Sequence, residues 1–429
     1  MAPLEWVLYI FLALAVLLVM ITIHEAGHYT AGKLLKFKIN EFAIGFGKPL
    51  YKKTKKDGEV FSIRMLPLGG YCAFEGEDED KPASEGAFNN QPVWKRLIVL
   101  FMGPFFNFLS ALIFSVIFLV SFGYADRVQI TKVTLPDSYT GQAQEWLMKD
   151  DVIIAVNGKE CDFVTDSYFA SMITAYDYED EFTITVKRDG KEIVLNGIYK
   201  DVWDEFKSKG DSTYGKKFAL DGQNYVYALR YNTLETKCQL VKLDSDNNPI
   251  DDCIYDVDAQ GLIHIDENTT LKAVYTLSGS NIEDASLSKP IIGVQTQYYK
   301  YGFFEALGYT FVFCIKWAWK ILLILWQLLT LKLAITNLGG TVTTIVTLAE
   351  ATHASMANLL LLFPLISINL AVFNLLPFPA LDGARMVFVE IEGIRGKPIN
   401  RKIEGMIHFI GLMILLGFVL VVDILHFVL

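Results

Sequence analysis

Cysteine is scarce in this sequence. There are five in 429 residues and no C-x-x-C pair, which excludes a zinc ribbon and a disulfide-built scaffold. An excess of positive charge is also missing: the formal net charge is -10. No basic stripe is present to neutralise phosphates, so a nucleic-acid partner is excluded. The amino-terminal apolar run lacks a basic flank, Glu5 being its only early charge. It also continues well past the length of a signal-peptide core, so it reads as a retained membrane helix. What the chain has in abundance is apolar surface. Hydrophobic residues make up 52% of it, with 30 Phe and 20 Tyr, and the mean hydropathy is +0.33.

That apolar content is concentrated. Residues 4–31, 96–123, 309–331, 355–378 and 404–427 are nearly continuous apolar runs, of the length needed to cross a hydrocarbon core of ~30 Å. Residues 126–300 instead have the composition of an acidic soluble domain. Cys238 and Cys253 fall in it, where a single disulfide between them and two unpaired thiols both fit the sequence. Lys33, Lys36, Lys38, Lys52, Lys53, Lys55, Lys56, Lys95 and Arg96 lie between the first two runs, and Arg395, Lys397, Arg401 and Lys402 precede the last. The positive-inside rule assigns both clusters to the cytoplasm. The N-terminus and the segment from Tyr124 to about Tyr301 are then extracytoplasmic.

Between the first two runs, Glu59 to Tyr71 alternates through Val60, Ser62 and Arg64 as a strand does, and Gly69-Gly70 predicts a turn with positive φ. The plain reading is a cytoplasmic hairpin. The sharper one is a strand against the membrane core whose edge pairs with an extended substrate. In the soluble segment, Val128–Val133 predicts a strand and Gln142–Met148 a helix. Asp151-Val-Ile-Ile-Ala-Val-Asn-Gly158 follows as a strand with a tight turn, and Thr165–Thr174 as a helix. Asp189-Gly190 then joins two strands as a hairpin. This order and the DVIIAVNGK run resemble a PDZ domain, although Glu145-Trp-Leu-Met-Lys-Asp150 replaces the usual small-Gly-Leu stretch. Residues near 203–285 have no counterpart in a minimal PDZ domain and are β-rich in pattern.

The residues that carry chemistry are in Ile21-Thr-Ile-His24-Glu25-Ala-Gly-His28. One helical turn separates His24 from His28, so both imidazoles face one Zn²⁺. Glu25 is rotated by about 100° from His24, within reach of a water at the metal without being a ligand. In a soluble chain the plain reading would be a solvated helix face. Here the motif is attached to an apolar run, where each acidic group costs roughly 2.5 kcal/mol or more and persists mainly when paired or functional. Zinc in a hydrolase takes a third protein ligand. The candidate is Asp382, in Asn374-Leu-Leu-Pro-Phe-Pro379-Ala-Leu-Asp382-Gly383, where two prolines break the helix. Asp382 also reads as an N-cap for the helix that follows. Asn374 fits a donor to a substrate carbonyl, and equally a partner for backbone freed by the prolines.

Together these motifs resemble the site-2 protease family, the bacterial regulated intramembrane metalloproteases. His24, Glu25 and His28 match its HExxH motif, and Asn374 to Gly383 match its second zinc motif. Gly103-Pro104-Phe-Phe-Asn107 and the Pro67–Tyr71 strand also look like family elements, while Gly340-Thr341 stands where a Gly-Pro is usual. The resemblance implies a zinc endopeptidase that cuts transmembrane segments of single-pass membrane regulators of the anti-sigma factor type, or remnant signal peptides. It implies a bacterial cell membrane and an external PDZ-like domain acting as size filter or peptide receptor. In that scheme Glu25 is the general base. Asn374, Asn107, Gly69 and Gly70 are candidates for holding substrate.

If all five runs crossed the bilayer, Asp382 would emerge on the face opposite His24 and His28. One run must therefore not cross. Residues 309–331 fit best, because Lys316, Lys320 and Gln327 form a stripe with Trp317, Trp319 and Trp326 nearby. The expected fold is a polytopic α-helical membrane protein of about four transmembrane helices plus one interfacial helix, with an extracytoplasmic α+β PDZ-like domain. Its expected parts begin with a membrane core over 1–125, containing a membrane-associated β-loop at 41–76 and a second transmembrane helix at 96–123. The PDZ-like domain occupies 126–300, an interfacial helix and loop 301–350, and a second membrane part 351–429. Two rivals remain. A non-catalytic receptor with a PDZ-like peptide site should have lost Glu25 or a ligand. A metal transporter should show several intramembrane carboxylates along a path.

Overall fold

A computed structural model describes residues 3–77, 84–133, 141–173, 181–197, 218–219, 226–232, 237–244, 249–256, 262–264, 270–272, 293–332, 343, 346, 349–350, 353, 355–397 and 399–428. The chain divides into two compact units, one formed by Met1–Phe122 with Lys300–Leu429 and the other by Gly123–Tyr299.

The first unit is built on long apolar helices. They are α1 (Pro3–Leu34), α2 (Val93–Ser121), α4 (Phe303–Leu329), α5 (Met356–Leu375) and α7 (Arg401–Val428), with the amphipathic α6 (Asp382–Arg395) between the last two. Each of the five apolar helices is long and apolar enough to cross a membrane. Phe11, Ile113, Ile414 and Leu420 stand exposed on them, as expected where lipid rather than water is the surroundings. Local chemistry sets the ends. Helix α1 closes with Phe37 N donating to Gly32 O at 2.8 Å, and Lys36 takes the left-handed position at φ 65°. Ser355 caps α5 by accepting from the Asn358 amide, and Pro377 follows its last turn.

The directions of the helices follow from their contacts. Tyr9 meets His353 at 5.2 Å between ring centroids, and Ser367 donates to Met20 Sδ at 2.7 Å, so α1 and α5 run the same way. Helix α2 runs against both, with Phe114 on Phe363 at 4.9 Å and Ser110 Oγ on Ser367 Oγ at 3.1 Å. At the opposite end Glu392 binds Arg96 of α2 at 2.6 Å and Arg401 of α7 at 2.7 Å. Both partners of the first pair are buried, so the pairing clamps three helices. Helix α7 returns until Asp423 Oδ1 accepts from Thr343 N at 3.1 Å. Helix α4 packs on the second half of α2, through Thr310 Oγ1 to Leu112 O at 3.2 Å and Phe311 on Phe108.

Strands β1 (Ile39–Thr54) and β2 (Val60–Phe74) form a sheet with doubled register. Phe42 pairs with both Cys72 and Phe61, and Ala43 with both Tyr71 and Ser62, while Lys52 also pairs with Ser62. Residues 41–44 thus lie between the two halves of β2. The expected turn at Gly69-Gly70 is absent, because both glycines are inside β2. Only Gly69 has positive φ, at 115°. A Cβ on Gly70 would sit 2.8 Å from Ala43 O and 3.6 Å from the Glu25 side chain, so it is close approach that requires glycine there. Ala31, Phe37, Ile39, Phe74, Phe88, Val99, Leu100 and Val389 form one buried cluster that joins this sheet to α1, α2 and α6.

In the second unit, β3 (Tyr124–Val133), β4 (Val152–Val156), β5 (Lys159–Glu160), β6 (Thr183–Arg188), β7 (Lys191–Asn196) and β14 (Val294–Tyr299) form a sheet of order β14-β3-β4-β6-β7, with β5 on β4. Asp189 and Gly190, at φ 50° and 79°, make the β6–β7 turn. The helix expected over 142–148 is only a 3-10 turn, Ala143–Glu145. Arg188 takes the Gln144 and Trp146 carbonyls, and the Asp151 carboxylate takes the Met148 amide; a helix would have needed those groups for itself. The helix expected over 165–174 starts only at Phe169, as α3 (Phe169–Ile173), and Thr174 lies outside the described residues. A bridge between Asp162 and Ser167 and positive φ at Asp166 delay its start. Strands β8 (Phe218–Ala219), β9 (Val226–Asn232), β10 (Lys237–Leu243) and β11 (Pro249–Asp256) form a second sheet. Strands β12 (Leu262–His264) and β13 (Thr270–Lys272) pair separately. The side chains of Cys238 and Cys253, and residues 337–341, lie outside the described residues.

Candidate metal centre

Helix geometry places His24 and His28 in the last third of α1, on one face, with ring centroids 4.7 Å apart. His28 Nδ1 donates to the Val99 carbonyl of α2 at 2.8 Å. This leaves Nε2 of the neutral ring as a lone pair, 3.1 Å from His24 Nε2. Asp382 Oδ2 completes the triangle, 3.0 Å from His24 Nε2 and 3.4 Å from His28 Nε2. Among the described residues this is the only group of three His, Cys, Asp or Glu able to share a metal ion.

Zn²⁺ fits this donor set. Ligand bonds of roughly 2.0–2.1 Å in a tetrahedron put donor atoms about 3.3–3.4 Å apart, close to the three separations here. Two imidazole lone pairs and a carboxylate oxygen converging in a buried site also call for a cation. The remaining ring nitrogens are held as metal-binding histidines require. His24 Nδ1 faces the Asn107 side-chain amide at 3.1 Å. The structure sets Asn107 Nδ2 against the ring and leaves Oδ1 buried without a partner. With Nε2 on a metal, Nδ1 keeps its proton and needs an acceptor, which Oδ1 supplies when the amide is turned over.

Two glycines make the approach possible. A Cβ on Gly103 would lie 2.3 Å from His28 Nε2, and one on Gly27 would lie 2.1 Å from Met102 O. Helices α1 and α2 therefore touch through their backbones at the depth of the site. Asp382 is carried by the break after α5. Ala380 has φ 85°, and Leu381 is the N-cap of α6 without a capping side chain. Asp382 itself is the first helical residue, with its carboxylate on the imidazoles, so the N-cap reading does not hold. A Cβ on Gly383 would lie 2.4 Å from the carbonyls of Leu375 and Leu376, so α6 starts against the end of α5.

A cavity of about 440 Å³ opens beside the triangle, lined by Glu25, Asn374, Arg385 and the β2 segment Tyr71–Phe74. The Cys72 amide donates to the Glu25 carboxylate. The Cys72 thiol also lines the cavity. Burial, with the Glu25 charge beside it, pushes the thiol far up, and the thiol stands outside the His24, His28 and Asp382 group. Arg385 forms an ion pair with Glu77 on the cavity wall.

Of the residues singled out by sequence, His24, Glu25, His28, Asp382 and Asn374 come together around this cavity. Asn107 is fully buried against His24 and does not line it. Gly70 sits beside Glu25, and Gly69 lies on the Phe46 ring. The sequence reading missed the Val99 carbonyl and the Cys72 amide, because backbone groups carry no residue signature. It also missed Arg385, which helical spacing from Asp382 would have placed nearby.

The Peptidase family M50 profile matches residues 12–418. The chain is 27% identical to a provisionally named zinc metalloprotease of Pasteurella multocida, covering 96% of this chain and 97% of that one. It is 27% identical to the regulator of sigma E protease of Haemophilus influenzae, over 93% and 94% of the two chains. It is 26% identical to the regulator of sigma-E protease RseP of Escherichia coli, over 94% and 96%. With the profile covering nearly the whole chain and a zinc-compatible triangle at its HExxH helix, this protein belongs to peptidase family M50 and is an intramembrane zinc metalloprotease.

Proposed function

We propose that His24, His28 and Asp382 hold the zinc ion and that Glu25 is the general base in cleavage of a substrate helix within the bilayer. The observation that carries this reading is the donor triangle of 3.0, 3.1 and 3.4 Å. When bound, Zn²⁺ supplies a Lewis acid that acidifies water and polarises the scissile carbonyl. Glu25, steadied by the Cys72 amide, takes the proton of the attacking water and delivers it to the departing amide nitrogen. His28 and His24 keep their orientation through Val99 and Asn107, so the ligand set stays fixed as charge develops. Glu25→Gln should retain zinc and lose turnover by 10²-fold or more; turnover near wild type would remove Glu25 from the role.

A transmembrane helix must unwind before its carbonyls can be reached. Residues 70–74 of β2 pair with residues 39–44 on one edge and line the cavity on the other. Apart from the Cys72 amide, which donates to Glu25, that edge is unpaired among the described residues and offers main-chain hydrogen bonds to an extended substrate. Asn374 offers a side-chain amide beside it. Two relatives named as regulators of sigma E protease favour a membrane-anchored regulator as substrate over a remnant signal peptide. The β3–β7 sheet with α3 is assigned as a PDZ-like module that screens or receives the substrate's external part.

The basic residues Lys95, Arg96, Arg395 and Arg401 lie at the end of the bundle where α2 and α7 begin and α1 ends. We assign that end to the cytoplasm, and with it an extracytoplasmic N-terminus and Gly123–Tyr299 unit. Because α2 ends where α5 begins, the intervening chain leaves and returns on one face. Helix α4 is therefore assigned to the outer side, lodged on the outer half of α2 without completing an unpaired crossing. Cysteines introduced at 334–350 should react with an impermeant reagent from outside; labelling from the cytoplasm alone would overturn the arrangement.

A further inference from the structure

Two residues before Asp382, Ala380 has φ 85°, a backbone region that residues with a Cβ seldom occupy. Such a conformation persists when surrounding contacts over-determine it. Here the contacts come from α7. The Ala380 amide donates to His408 Nδ1 at 2.9 Å. One turn further on, α7 rests on Pro379, where a Cβ on Gly411 would lie 2.3 Å from Pro379 Cβ. The His408 ring is steadied on its other side by Phe388 of α6, at 5.4 Å between ring centroids.

We propose that His408 is a positioning residue for the metal centre: by accepting the Ala380 N–H it holds the Pro379–Ala380 peptide plane from which Ala380, at its unusual φ, aims Asp382 at His24 and His28. The inference rests on the reading of Asp382 as a zinc ligand. The Ala380 N–H lies in the Pro379–Ala380 peptide plane, and φ of Ala380 sets how the chain leaves that plane toward Asp382. An acceptor fixed on a separate helix therefore selects one backbone conformation out of the several open to a post-proline loop. Metal sites tolerate displacements of only about 0.2 Å in ligand distance, so freedom at Ala380 reaches Asp382 directly. Accepting at Nδ1 leaves the proton of the neutral ring on Nε2, which is buried; the residue borders a cavity of about 460 Å³ lined also by Arg385, Arg401 and Glu404.

The test measures zinc affinity of the purified full chain by chelator competition, alongside the unfolding temperature of the metal-free protein. His408→Leu removes the acceptor, His408→Asn restores one near the Nδ1 position, and His408→Gln places one near Nε2. The leucine and glutamine variants should bind zinc about tenfold or more weakly, the range seen when groups supporting metal ligands are lost. The asparagine variant should stay within about threefold of wild type. Wild-type affinity in His408→Leu would overturn the inference. If that variant does not fold, equal affinities in His408→Asn and His408→Gln would overturn it. An Asp382→Ala variant measured beside them separates the two readings. Loss of zinc there with none in His408→Leu defeats only the positioning role, and retention of zinc in Asp382→Ala defeats the ligand assignment.

Discussion

His24 Nε2 lies 3.0 Å from Asp382 Oδ2, although 358 positions of chain separate them. The contact closes a triangle between the first apolar helix and the loop after α5, and each side of it depends on the other. Asp382→Ala leaves only two imidazole donors, too few for the three protein ligands of a catalytic zinc site. Metal analysis after dialysis against a mild chelator should find about one zinc per chain in the wild type and less than a tenth of that in the variant. Equal zinc contents would show that Asp382 is not a ligand.

Gly103 is the second lever on the same triangle. A methyl at its Cβ position would stand 2.3 Å from His28 Nε2 and 2.8 Å from His24 Cε1. Gly103→Ala should therefore cut zinc affinity by at least tenfold while helical content stays unchanged. Gly308→Ala, where a Cβ meets nothing within 4 Å, serves as the control and should bind as wild type does. Circular dichroism and a zinc titration together decide it.

Asn107 contributes through His24. Replacing it with leucine removes the partner of His24 Nδ1 and leaves that ring free to turn. An outer partner of a ligating histidine is typically worth 10–100-fold in metal affinity or activity, so Asn107→Leu should fall within that range. An unchanged affinity, with changed KM only, would return Asn107 to the substrate role that the sequence suggests.

Glu59 sets a pH dependence on the β1–β2 sheet. Burial alone would raise its carboxyl, but hydrogen bonds from Lys33, Lys55 and Tyr29 outweigh burial and hold it below its ordinary range. A depressed folded value means that the stabilisation is complete above the unfolded value, roughly pH 4.3, and is lost as pH falls through the folded one. The two lysines are more than a third exposed, so screening limits the effect to about 1 kcal/mol or less. Unfolding temperatures between pH 6 and pH 3 should therefore drop more steeply for wild type than for Glu59→Gln. Parallel curves would mean that the cluster contributes nothing.

Much of the site was legible because its first part is local. His24, Glu25 and His28 fall within a single turn and a half of helix, and the 3.6-residue period alone decides that the imidazoles share a face. The membrane helices were legible for a similar reason, since hydrocarbon thickness fixes a run length that can be counted. The helix expected at 142–148 failed because its pattern ignored Arg188, whose guanidinium claims two of the carbonyls. Gly69-Gly70 failed in a different way. Glycine pairs mark turns, but they also mark close approach, and only the neighbour, here Ala43 with Glu25 beyond it, tells which.

The sequence by itself determined that His24 and His28 share one helix face with Glu25 beside them, and the five apolar helices among the described residues, because each rests on short-range periodicity or length. Tertiary structure decided that Asp382 faces the imidazoles instead of capping α6, that Asn107 stands against His24, and that 41–44 pairs with both halves of β2. Those outcomes depend on which segments meet in space, and a pattern read along the chain carries no distance between residues hundreds of positions apart.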